Sequence, residues 1–169
     1  MIGGPVAANL ACAQPRGPDA PVAAGASMPH SWIMERTWVV TGCALAGLGV
    51  AAGAFGAHAL EGTLSPESLA VYETASRYAL VHAVALLFVG LASATWPDRR
   101  WNLAGGLFVA GIIVFAGSLY LLALTGVRWL GAIRPIGGAC FLAGWLSSAL
   151  AAGRSITRPR EATLRDGAA

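Results

Sequence analysis

The segment GCALAGLGVAAGAFGAH at positions 42–58, followed after one short polar loop by PESLAVYETASRYALVH at positions 66–82, decides the fold of this chain. In its first half Gly42, Ala46, Gly49, Gly53 and Gly56 recur at spacings of 4, 3, 4 and 3, so all five lie along one stripe of a helix. The surrounding run from Trp38 to His58 contains no acid and no lysine, and its 21 residues are enough to cross a bilayer as a helix. Lipid gives helices no hydrophobic reason to associate, so close approach at small residues must supply the attraction. The stripe, with Gly49 and Gly53 forming a GxxxG, is therefore read as a helix-packing face.

The second half opens a second helix. Ser65 can cap the free N–H groups, Pro66 suits the first helical position, and the Glu67 carboxylate favours the positive end of the helix dipole. The pattern predicts a helix over 66–96, longer than a bilayer requires. Its first three turns, with Glu67, Tyr72, Glu73 and Arg77, are expected to project into the interface. Glu73 and Arg77 stand four residues apart in the favourable order.

Composition agrees with a chain immersed in lipid. Of 169 residues, 56% are hydrophobic and only 11% charged, where a soluble domain has about 25% charged residues. Mean hydropathy is +0.64. All 11 basic residues are arginine, and no basic run enters the apolar region, which argues against nucleic-acid binding. Cys12, Cys43 and Cys140 have no metal-like spacing, and the two within apolar spans read as small packing residues.

Two more spans follow. Trp96-Pro97-Asp98-Arg99-Arg100-Trp101 reads as a helix end with two arginines in water and two interfacial tryptophans. A third span is predicted over 102–125, with Gly106, Ala110 and Gly117 as its small positions, then a turn over 126–131. A fourth span is predicted over 133–152, with Gly137 and Gly144 one heptad apart. Residues 1–33, rich in Pro, Gly and Ala without periodicity, read as a disordered extension or an over-extended start, Met34 being a plausible first residue. Residues 154–169 read as a polar tail. The expected architecture is all-α: an integral membrane four-helix bundle over 34–153.

Orientation follows from arginine. The side holding both termini and the middle loop carries Arg16, Arg36, Arg99, Arg100, Arg154, Arg158, Arg160 and Arg165, and the other only Arg77, Arg128 and Arg134. The positive-inside rule then places both termini in the cytoplasm of a bacterial inner membrane.

Topology brings His58, Glu73, Arg77, His82 and Arg134 to one depth near the outer leaflet. An ionisable group within a span costs at least ~2.5 kcal/mol, so it normally has a partner or a purpose. A polar cluster of these five is the expected candidate site. The competing reading makes His58 and the Glu73–Arg77 pair solvated groups at helix ends and His82 a hydrogen-bonded core histidine. Haem or zinc held by His58 and His82 is disfavoured, because neither CxxCH nor HExxH accompanies them. No cofactor and no catalytic set is expected, so the chain does not read as an enzyme.

Three stretches together carry a family resemblance: Gly53-Ala-Phe-Gly-Ala-His58; Tyr72-Glu-Thr-Ala-Ser-Arg-Tyr78 with His82; and Phe115-Ala-Gly-Ser-Leu-Tyr120 leading to Pro135-Ile-Gly-Gly138. Over about 34–152 the chain resembles domain-of-unknown-function family 423, the YgdD-like bacterial inner-membrane proteins, to which animal transmembrane protein 256 is related. The resemblance implies a compact four-helix membrane protein and a start near Met34. It names a fold and no reaction. Family members usually carry threonine before Pro-Ile-Gly-Gly, where this chain has Arg134. The expected function is a structural or accessory membrane component, in contact with lipid and with a second copy or another membrane protein. A small transporter or channel using the polar cluster is the alternative.

Overall fold

The computed structural model describes residues 30–156. Most of the expected N-terminal extension and most of the C-terminal tail lie outside the described residues. Helix α1 (His30–Phe55) continues into one π-helical turn, Gly56–Leu60. Helix α2 spans Pro66–Thr95. The third span is α3 (Arg99–Gly111), a π-helical turn (Ile112–Ala116) and α4 (Gly117–Thr125) in direct succession. A 3₁₀ segment, Arg128–Ile133, leads into α5 (Arg134–Ile156). The chain is all-α, with four helical stretches long and apolar enough to cross a membrane. Helix α1 begins four residues before the expected boundary at Met34, and α5 carries the helix into the expected tail.

Local chemistry sets the breaks. Ser65 Oγ accepts from the Ser68 N–H at 3.2 Å, and Pro66 occupies the first turn. Pro97 stops α2, and Asp98 caps α3 by accepting from the Arg100 N–H at 2.9 Å. That cap starts the third span at Arg99, three residues earlier than expected. Trp101 is then no interfacial residue: it is fully buried, meets Phe88 edge-on, and donates its indole N–H to Trp96 O at 2.9 Å. Gly126 ends α4 at φ 70°, a left-handed conformation that glycine adopts without steric cost.

The helices pack in sequence order. Helix α1 lies on α2, α2 also lies on the third span, and α5 lies on α3. Half of the most apolar window of α2 is buried, against 17% for the first span, so α2 is central and α1 peripheral. The core gathers around Leu86, Val89, Trp101, Phe108 and Leu119.

The α1–α2 seam is glycine-lined but narrower than the sequence stripe. Gly42, Gly49 and Gly56 are buried. A Cβ at Gly42 would stand 2.9 Å from Ala83 O, at Gly49 2.9 Å from Leu80 Cγ, and at Gly56 2.9 Å from the Tyr72 ring. These positions repeat every seven residues, and Leu45, between the first two, packs on the core, the arrangement of a left-handed helix pair. Ala46 is half-buried on the flank of this seam. Gly53 departs from the expectation, since a Cβ there meets nothing within 4 Å. A straight helical stripe and a seven-residue seam drift apart by ~20° per heptad, so part of the stripe turns away from its partner. Gly90 supplies the reciprocal approach from α2, where a Cβ would come 3.1 Å from Glu35 O.

Candidate functional site

His82 is the one ionisable side chain among the expected five that the fold buries. It sits on the inward face of α2 with Ala75, Ala79, Leu86 and Val89. Its Nδ1 lies 2.8 Å from Tyr78 O, one turn back, and Trp145 Nε1–H of α5 donates to its Nε2 at 3.3 Å. A carbonyl only accepts and an indole N–H only donates, so both bonds are satisfied together by the neutral ring protonated on Nδ1. The imidazole lies face to face with Phe141, centroids 3.5 Å apart and planes 13° apart. Phe108 stands 5.6 Å away and Tyr78 6.1 Å.

Glycine makes room for these rings. A Cβ at Gly111 would collide with Phe141, one at Gly144 would stand 2.7 Å from Phe108, and one at Gly137 2.6 Å from the Phe115 backbone. The heptad pair Gly137 and Gly144 therefore receives two phenylalanines of the third span, Phe115 within the π turn at 112–116 and Phe108 one turn before it. By contrast, Gly106 and Gly117 face open space. Beside Trp145 an apolar groove of ≈580 Å³ opens along Val81, Val84, Ala85 and Phe88.

Two smaller polar sets close the ends of the bundle. Tyr120 Oη donates to Ser76 Oγ at 3.0 Å, Ser76 Oγ donates to Tyr72 O at 3.3 Å, and the Tyr72 and Tyr120 rings meet edge-on at 4.8 Å. At the other end Trp38 Nε1–H donates to Asn102 Oδ1 at 2.9 Å, tying α1 to α3. Ser147 Oγ donates to Arg100 O at 3.0 Å, tying α5 to α3. Ser93 donates to Gly90 O within α2.

The other expected site residues are placed apart from His82. His58 is exposed in the π turn that ends the first span. Glu73 and Arg77 are exposed on the side of α2 that also shows Val81, Val84, Phe88 and Leu91. Arg77 and His82 are five residues apart, about 140° around a helix, so one faces outward while the other faces the core. Arg134 is half-buried at the start of α5, against Gly131, and its Nε is buried without a hydrogen-bond partner. Among the described residues no hydrogen bond or ion pair joins any two of the five. The polar cluster expected from depth alone is thus not assembled as one constellation: shared depth says nothing about azimuth. Cys43 is exposed, and no group of three His, Cys, Asp or Glu side chains among the described residues could hold a metal. Sequence reasoning missed Trp145 and Phe141, spaced i and i+4 on α5, and Phe108 and Phe115, one heptad apart.

Comparison with known proteins places the chain in a family. Residues 52–138 match the family described as protein of unknown function (DUF423). A UPF0382 membrane protein of Staphylococcus epidermidis is 48% identical over 111 residues, covering 66% of this chain and 90% of that protein. UPF0382 membrane proteins of Staphylococcus haemolyticus and Staphylococcus saprophyticus are each 45% identical over 111 residues, 66% of this chain and 90% and 92% of theirs. No solved structure matches the chain. With more than half its length matched, and with His82, Phe108 and Phe115 inside the matched region, this small multi-pass membrane protein belongs to the DUF423 family.

Proposed function

We propose that the chain is a structural or accessory component of the bacterial inner membrane, neither an enzyme nor a conduit, and that it acts by associating with another membrane-embedded chain or a second copy. The observation that carries this reading is the state of its buried imidazole. Both ring nitrogens of His82 are engaged inside the fold, and stacked aromatic rings fill the space around it. A transport site would leave such a group a free lone pair or proton facing a wet path. Ser93 and Ser147, the polar groups of the opposite halves of the spans, are likewise turned onto backbone carbonyls. Association is supported by the glycines left uncovered at Gly47, Gly106 and Gly117, where another helix could approach closely. The arginine bias supports both termini in the cytoplasm.

The test has two arms on the full chain. Reconstituted into liposomes, the protein should pass protons, sodium and small solutes no faster than protein-free vesicles. Crosslinking in its own membrane should capture one reproducible membrane-protein neighbour or a homo-oligomer. Saturable flux abolished by His82→Ala in a folded protein would replace this reading with the transporter.

A further inference from the structure

A cleft at the loop end of the bundle presents two unpaired charges of opposite sign. It measures ≈430 Å³ and lies between the first turn of α2 and the end of α4. Its floor is apolar, built by Val71, Leu122 and Ala123, while Glu67 and Ser68 line it from α2 and Arg128 from the segment after α4. Glu67 and Arg128 are both exposed, and among the described residues neither has an ion-pair partner. Carboxylate and guanidinium therefore stand more than 4.0 Å apart across the same cleft. Ser68 Oγ already accepts from Ser65 Oγ at 3.2 Å, which leaves its own hydroxyl proton free to donate into the cleft. The cleft sits where α2 begins and α4 ends, the level at which spanning helices meet lipid headgroups.

Two separated opposite charges over an apolar floor are complementary to a short zwitterion carrying a hydrocarbon tail. We propose that this cleft binds a phosphoethanolamine group. Arg128 takes the phosphate through its planar guanidinium, and Ser68 donates to a phosphate oxygen. Glu67 accepts from the primary ammonium. Val71, Leu122 and Ala123 receive the carbon chain beyond the phosphate. A quaternary ammonium has no N–H for Glu67 and is held elsewhere by aromatic cages, and no aromatic side chain lines this cleft. An anionic headgroup without an amine offers Arg128 the same phosphate but gives the Glu67 carboxylate no cation to pair with. The ligand chemistry is shared by a phosphatidylethanolamine headgroup and by free phosphoethanolamine.

The experiment titrates the detergent-solubilised full chain with dioctanoyl phosphatidylethanolamine and, separately, dioctanoyl phosphatidylglycerol, counting bound lipid by native mass spectrometry. The expected result is about tenfold tighter binding of the ethanolamine lipid. Glu67→Gln should erase that preference, and Arg128→Gln should weaken binding of both lipids. Both positions are exposed, so thermal unfolding of the two variants should match the parent protein. Free phosphoethanolamine is then added as competitor: displacement of the lipid at equal concentration identifies a soluble ligand, and failure to displace identifies a lipid headgroup. Equal binding of the two lipids, or a preference untouched by both substitutions in folded protein, overturns the proposal.

Discussion

Gly137→Ala and Gly138→Ala differ by one position on α5 and are expected to have opposite consequences. At Gly137 the new Cβ would stand 2.6 Å from Phe115 N, 2.7 Å from its Cβ and 2.8 Å from its Cα, where ordinary contact begins at 3.4 Å. The obstacle is backbone inside the π-turn segment Ile112–Ala116, so no side chain can swing aside and α5 has to retreat from the third span. Retreat loosens the stacking of Phe141 on His82 and lengthens a Trp145–His82 bond that already spans 3.3 Å. Overpacking of this kind costs about 1–3 kcal/mol. At Gly138 the added methyl meets nothing within 4 Å. Both exchanges share the gain of up to ~1 kcal/mol that alanine brings over glycine inside a helix, so the difference between the variants isolates the clash. Gly137→Ala should therefore be about 1–3 kcal/mol less stable than Gly138→Ala. Denaturation by a sodium dodecyl sulfate titration of reconstituted protein, followed by circular dichroism, measures that difference. Equal midpoints would refute the close α5–third-span approach on which the aromatic core depends.

Three further outcomes follow from the same geometry. His82→Ala removes a stacked ring and orphans the Trp145 indole, and should cost about 2–5 kcal/mol, whereas Arg77→Ala, on the outward face, should stay within ~0.5 kcal/mol in the same titration. Gly49→Leu should lower the unfolding midpoint by forcing α1 off Leu80, while Gly53→Leu, at an open position, should leave it unchanged; scanning fluorimetry of the tryptophans compares the two. Tyr120→Phe deletes the donor to Ser76 and should cost about 0.5–1.5 kcal/mol, read as a lower thermal midpoint with unchanged helix content by circular dichroism.

The sequence made the spans legible because lipid enforces one rule everywhere: backbone polar groups must pair within a helix of about 20 residues. Ser65, Pro66, Pro97 and Gly126 mark breaks by local chemistry that any neighbour-independent reading recovers. What stayed hidden depends on rotation about helix axes and on distant partners. The partner of His82 lies 63 residues away on α5, and nothing local in Val81-His82-Ala83 announces an indole. The two π turns leave no residue signature, yet the one at 112–116 contains Phe115, which with Phe108 meets α5. Gly53 belongs to the stripe by spacing and leaves the seam by drift. Trp101 sits beside a polar loop, and only the Asp98 cap, which starts α3 early, turns it into the core.

The peripheral place of α1 has a consequence for how the molecule is made. A chain synthesised from its N-terminus delivers α1 to the bilayer before any partner exists. The first span is long and apolar enough to reside there alone, and its glycine seam stays empty until α2 arrives with Leu80, Ala83 and Leu87. The last span is the least apolar of the four and brings Trp145, Ser147 and a half-buried Arg134. By then His82 Nε2 and Arg100 O are already in place as acceptors for two of these groups. The span with the most waiting partners is thus the one with the lowest hydropathy: the earliest helix is held by lipid, and the latest by its predecessors.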